Sequence, residues 1–216
     1  MLPKLISEFL GTFFLVMTVI GSGIMGENLS QGNDAIALLA NTIATGAILF
    51  VIIRSFSTIS GAHFNPVVSL IMLLEGKIKL RETILFTLTQ IIAGLVAVVI
   101  IHIIFQLDVY QISNKDRAGL PFLFSEIVAT FGLLCCILFV SKFSPENLAM
   151  TVALFISAGY WFTSSTSFAN PAVTIARIFT DTFTGISPDS VVYFIPAQII
   201  GALIALFIFR ISTNEK

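Results

Sequence analysis

Apolar residues run along this chain in long blocks, and polar letters interrupt them only at intervals. Six blocks, at about 4–25, 34–57, 80–105, 121–141, 147–166 and 190–210, have close to the roughly 20 residues a helix needs to cross a hydrocarbon core. Two shorter apolar pieces, at about 66–75 and 171–180, each follow an Asn-Pro pair, Asn65-Pro66 and Asn170-Pro171. A ten-residue helix covers only about 15 Å, which is half a crossing. Short alternating segments of the barrel type are absent. The pattern predicts an all-α, multi-pass membrane fold with six transmembrane helices and two re-entrant half-helices.

Composition agrees with the pattern. Hydrophobic residues make up 56% and charged residues 11%, with a mean hydropathy of +1.01, whereas soluble domains carry about 25% charged residues. The net charge of −1 offers nothing to a nucleic acid. Lys4 precedes the first block as in a signal peptide, but Glu8 interrupts it and "GSGIMGEN" lacks a small-residue cleavage pattern, so a retained helix is expected. Cys135 and Cys136 are neighbours in one span and imply no disulfide framework. His63 and His102 lack metal-site spacing, and no cofactor is expected. No pairing of nucleophile and base points to an enzyme.

Local matches recur in the same order along the chain. "SEFLGTFF" at 7–14 pairs with "SEIVATFG" at 125–132, "FNPVV" with "ANPAV", and "QIIAG" at 90–94 with "QIIGA" at 198–202. These matches indicate one channel domain over 1–216, with a first repeat at about 4–105 and a second at about 121–210. Three spans per unit is an odd number, so the second repeat is inverted in the membrane. Eight basic residues (Lys4, Arg54, Lys77, Lys79, Arg81, Lys142, Arg210, Lys216) fall on the side of the termini and three (Lys115, Arg117, Arg177) on the other. The bias places both termini in the cytoplasm.

A helix interrupted at membrane depth needs protein or water to satisfy its backbone, which implies a lined pore. Two half-helices meeting by their N-termini at the midplane aim both positive dipole ends at one spot and repel cations there. Asn65 and Asn170 would cap those helices and offer amide donors to a passing oxygen. Such a device conducts neutral hydroxylated molecules and rejects protons.

"SGAHFNPVV" and "ANPAV" resemble the paired Asn-Pro-Ala loops of the aquaporin and aquaglyceroporin family of major intrinsic proteins, with Val67 in place of the usual alanine and Ala172 intact. The resemblance covers nearly the whole chain. It implies an aquaporin-like fold, a homotetramer in the lipid bilayer with one pore per subunit, and no cofactor. It also places His63 on the cytoplasmic half of the pore.

Where the family usually has a filter arginine, this chain has Val173. Carrying over the other filter positions gives Thr45, Ala158 and Ser167, all small. A wide, arginine-free ring resembles the bacterial aquaglyceroporins associated with arsenic resistance. That resemblance implies a passive channel of the cell (inner) membrane for water, glycerol and arsenite-type neutral solutes. Arg177, one helical turn beyond Val173, has two readings. Either it reaches back into the outer vestibule and restores a donor, which would suit a water-selective pore, or it snorkels to the surface near Asp181.

Glu8 and Glu126 occupy equivalent intramembrane places and are expected to hold the pore loops through backbone N–H groups. A proton relay in an ion-coupled secondary transporter is the rival role. His102 is expected to be a satisfied interfacial histidine, and "KDRAGLP" at 115–121 an exposed, solvated connection.

Overall fold

The protein is described here from a computed structural model covering residues 1–213; Lys216, counted above among the cytoplasmic basic residues, lies outside the described residues. Its helices are α1 (Leu2–Leu29), α2 (Asp34–Ser60), α3 (Pro66–Leu74), α4 (Leu80–Ile104), α5 (Leu120–Phe143), α6 (Leu148–Phe162), α7 (Pro171–Ala176) and α8 (Pro188–Thr213). No strand occurs among the described residues. The expected order of spans and half-helices is therefore present.

Five of the spans are long and apolar enough to cross a membrane. The exception is α6, which has 15 residues and reaches about 22 Å. It was expected to run on to 166, but hydroxyl residues end it early. The Thr163 hydroxyl donates back to Gly159 O at 2.7 Å, and the Ser164 hydroxyl pairs with that of Ser125 at 2.8 Å. Such side chains compete with the helical ladder for backbone partners.

Asparagine starts both half-helices. The Asn65 side chain accepts from the Val67 N–H, and that of Asn170 accepts from the Ala172 and Val173 N–H groups. Pro66 and Pro171 follow at the first helical position, where an N–H would have no partner. A 3-10 turn, Arg177–Phe179, extends α7.

Two groups of three spans form the bundle. In one, α1 packs on α2 and α4; in the other, α5 packs on α6 and α8. Contact between α2 and α6 joins the groups, and each half-helix touches both: α3 lies on α4 and α8, and α7 on α8 and α4. The α5–α8 contact depends on a missing side chain, because a Cβ at Gly201 would lie 2.3 Å from Ile127 O.

The first and last helices are fastened at the same end of the bundle. The Lys4 ammonium bonds Glu82 at 2.6 Å, and Arg210 bonds Glu75 at 3.0 Å and Leu74 O at 2.7 Å. Lys4 is 42% exposed, so its ion pair orients the helix more than it stabilises it. This end is called terminal below, and the opposite one distal.

Candidate functional site

The two half-helices meet by their N-termini in the middle of the bundle, and their asparagines are cross-linked. Asn65 Nδ2 donates to Ala169 O at 2.7 Å, and Asn170 Nδ2 donates to Phe64 O at 2.8 Å. Each side-chain oxygen is engaged by its own helix. An asparagine amide carries two N–H groups, so each residue keeps one donor for a visitor. Both asparagines border a cavity of about 570 Å³. Pro66, Val67, Pro171 and Ala172 do not border it; they form the first turns that hold the asparagines in place.

The loops before the half-helices bend through backbone that side chains rarely adopt. Ala62 and Phe64 in the first loop, and Thr166, Ser167 and Ala169 in the second, have φ between 46° and 63°. Strain of this kind persists only where surrounding contacts fix it, and buried carboxylates do so here. Glu8 accepts from the His63 N–H (2.9 Å), the Phe64 N–H (2.7 Å), the Ser60 hydroxyl (2.6 Å) and the Gln90 amide (2.8 Å). Glu126 accepts from the Phe168 N–H (3.0 Å), the Ala169 N–H (2.9 Å) and the Gln198 amide (2.6 Å). Gln90 also contacts the Ser69 hydroxyl and Gln198 the Thr174 hydroxyl, at equivalent places on α3 and α7. The two carboxylates are occupied by loop backbone and side-chain amides.

The large cavity starts at Lys4 and Lys77, passes His63 and both asparagines, and reaches Tyr160, Ser167, Val173 and Arg177. The His63 ring bonds the Ser69 hydroxyl at 3.0 Å and meets the Phe86 ring edge to face. A second cavity of about 250 Å³ opens on the distal side, bordered by Asp34, Asn41, Lys115, Arg117, Arg177 and Thr184 among others. Among the described residues, Arg177 alone borders both. It stands at the partition between them. On the inner side of that partition, the Thr45 hydroxyl pairs with the Tyr160 hydroxyl at 3.1 Å. The Ser167 hydroxyl is buried without a protein partner.

Of the five filter candidates, Thr45, Ser167, Val173 and Arg177 come together here. Ala158 does not: it lies exposed on the outer face of α6, and Ile156 and Tyr160 border the cavity instead. The small ring expected from position 158 is thus replaced by a tyrosine. Gly159 sets this rotation, since a Cβ there would lie 2.6 Å from the Ser167 hydroxyl and the second loop could not pack against α6.

Arg177 does not snorkel. It is 3% exposed, its Nε donates to Thr184 O, and its guanidinium covers the Phe168 ring. Asp181 instead accepts from the Asn114 backbone at 3.0 Å. Arg117, placed by the sequence in a solvated connection, is 8% exposed, and its Nε donates to Gly185 O at 3.0 Å. His102 is fully buried and satisfied, with Nε2 at 2.9 Å from the Thr180 hydroxyl and Nδ1 at 3.2 Å from Val109 O. Sequence reasoning passed over Tyr160, Arg117, Gln90 and Gln198. The glutamines did carry a signal, since they head the matched "QIIAG" and "QIIGA". So did Tyr160, because a tyrosine inside a span needs a partner for its hydroxyl.

The chain is similar to known proteins along its length. It is 45% identical to the aquaglyceroporin AqpS of Rhizobium meliloti (strain 1021), over 96% of this chain and 88% of that one. It is 30% identical to the glycerol uptake facilitator protein-like 6 of Lactiplantibacillus plantarum, over 98% and 99%. Its fold superposes on the X-ray structure of the aquaglyceroporin from Plasmodium falciparum with a TM-score of 0.76, at 22% identity, covering 96% and 95% of the two chains. The sequence profile of the major intrinsic protein family matches residues 1–146. With two half-helices cross-linked through their asparagines and a cavity along them, the chain belongs to the major intrinsic protein family, and it is a passive membrane channel for small neutral solutes rather than an enzyme.

Proposed function

We propose that this channel passes water together with small hydroxylated neutral solutes of the glycerol and arsenite kind, and that it sorts them at Arg177. The observation that carries the reading is that Arg177 alone among the described residues borders both cavities. A solute crossing there meets polar side chains from Arg177, Thr45, Tyr160 and Ser167 together with the apolar Val173. A polyol, with hydroxyls on a carbon frame, matches such a mixed lining. Arsenite is an uncharged triol at neutral pH and presents hydroxyls in the same way. The name of the aquaglyceroporin relative supports solutes larger than water.

At the centre, a solute oxygen accepts the free N–H of each asparagine. A water held this way cannot pass a proton along an aligned wire, and the dipoles of α3 and α7 oppose cations. His63 lines the half of the pore toward the terminal end. The termini face the cytoplasm in this reading, supported by the basic residues at their end. Residues 4–105 and 121–210 act as inverted repeats, supported by the equivalent bonding of Glu8 with Gln90 and Glu126 with Gln198. Four such subunits assemble with one pore each.

A water-selective pore is favoured by one observation, the presence of both Arg177 and the aromatic Tyr160 in the cavity lining. Light scattering from proteoliposomes under water, glycerol, urea and arsenite gradients separates the readings. The proposal expects glycerol and arsenite fluxes well above those of empty vesicles and altered solute ratios in Arg177→Ala. Flux of water alone would establish the water-selective reading. Unchanged ratios in Arg177→Ala would overturn its role as the sorting residue.

A further inference from the structure

The three basic residues at the distal end are not scattered over its surface. Lys115, Arg117 and Arg177 all border the cavity of about 250 Å³ outside the partition, against a single lining carboxylate, Asp34. Two of the three are more than nine-tenths buried, Arg117 at 8% and Arg177 at 3% exposure. Neither forms a salt bridge among the described residues; Lys4 pairs with Glu82 and Arg210 with Glu75, both at the other end of the bundle.

Their bonds within the protein go to neutral groups. Arg117 donates to the Gly185 and Ser165 carbonyls, Arg177 to the Thr184 carbonyl, and Lys115 to Phe183 O at 2.7 Å. The guanidinium carbons of Arg177 and Arg117 lie 3.3 and 5.2 Å from the centroid of the same Phe168 ring. Two buried like charges sharing one ring are costly when the buried carboxylate that attracts both, Glu126, is bonded to loop N–H groups and Gln198 rather than to either of them. Thr184 also borders the cavity, and its hydroxyl is buried without a partner.

We infer that the distal cavity binds a small oxyanion of the sulfate, phosphate or carboxylate kind, seated on Arg117, Arg177 and Lys115, and that the bound anion plugs the channel against neutral solutes. Planar guanidinium donors fit the oxygens of such an ion. The cavity holds the volume of about eight waters, at about 30 Å³ each. An anion docks there and goes no further. Past Arg177 the lining includes Leu15, Val19, Leu49 and Val173, which replace none of its hydration. Every neutral solute must pass Arg177, so an ion bound to that side chain stands in its path.

The inference rests on Arg177 as the constriction, and one experiment separates the two claims. Glycerol permeability of proteoliposomes is measured in chloride, then with sulfate replacing chloride on both sides at equal ionic strength. Sulfate carries no proton near neutral pH and crosses bilayers slowly. The expected result is a fall to half the chloride value at about 1–10 mM sulfate. The ratio of glycerol permeability in sulfate to that in chloride should return toward one in Lys115→Gln, and the half-effect concentration should rise several-fold in Arg117→Lys. No glycerol flux in chloride would overturn the proposed function. A conducting channel that is blind to sulfate, or equally inhibited in Lys115→Gln and Arg117→Lys, would overturn the anion site.

Discussion

The guanidinium carbon of Arg177 lies 3.3 Å from the centroid of the Phe168 ring, so the arginine is folded inward over the second pore loop. Contact with a ring, in a site shielded from water, is worth about 2 kcal/mol, and the Thr184 carbonyl accepts from the Nε of the same group. Phe168→Leu should therefore loosen the arginine without deleting it. We expect glycerol and urea permeabilities to rise relative to water in Phe168→Leu, and to rise further in Arg177→Ala, both read by light scattering. Identical ratios in wild type and both variants would mean that the partition lies elsewhere.

Val173 borders the cavity one turn inside Arg177. In Val173→Arg a second long cation would share that cross-section. The glycerol-to-water permeability ratio is expected to fall about tenfold, corresponding to an added barrier of about 1.4 kcal/mol for the larger solute. An equal loss for both solutes would remove Val173 from the constriction.

The Tyr160 hydroxyl pairs with Thr45 at 3.1 Å and can turn to a passing polyol. Tyr160→Phe keeps the ring and removes the hydroxyl. Losing one neutral hydrogen bond costs about 0.5–1.5 kcal/mol, so glycerol flux should drop about two- to tenfold while water flux changes less. Ala158→Ser, on the exposed face of α6, should leave both fluxes as they are.

Glu8 and Glu126 hold the loops by accepting N–H groups that have no other partner. Glu126→Gln puts an amide donor where donors already converge, at a cost of about 1–3 kcal/mol. Thermal unfolding of the purified protein should shift down clearly, with neutral-solute selectivity kept in the folded fraction. A pH-driven accumulation of solute in wild type that vanishes in Glu126→Gln would restore the proton-relay reading.

Burial first, and then repulsion from Arg117 and Arg177, hold the Lys115 ammonium below the usual lysine range, against an opposing pull from Glu27 and Asp34. The charged form is lost as pH rises, and earlier here than for an ordinary lysine near 10.4. Sulfate block should therefore weaken between neutral pH and about pH 10, and Lys115→Arg should flatten that profile. A block that strengthens with pH would contradict the assignment.

Much of the fold was legible because membrane constraints are written in single letters. Run lengths gave the spans, the Asn-Pro pairs gave two half-helices, and the matched glutamates gave the supports of the loops. Cross-linking of Asn65 to Ala169 and of Asn170 to Phe64 was not legible, since it joins residues more than 100 positions apart.

The sequence by itself determined which segments cross the bilayer, where two of them are interrupted, and which buried carboxylates answer the interrupted backbone. Tertiary structure alone decided which way the side chains of α6, the 3-10 turn at Arg177–Phe179 and the loop at Arg117 turn. A soluble helix shows its inner face by its apolar stripe, but a helix that is apolar all round has no stripe to read. Its rotation is set by close packing, as where Gly159 admits Ser167. That is why Tyr160 rather than Ala158 faces the cavity. For Arg177 and Arg117, carbonyls and a ring brought together by the fold replace the water that a surface reading would have given them.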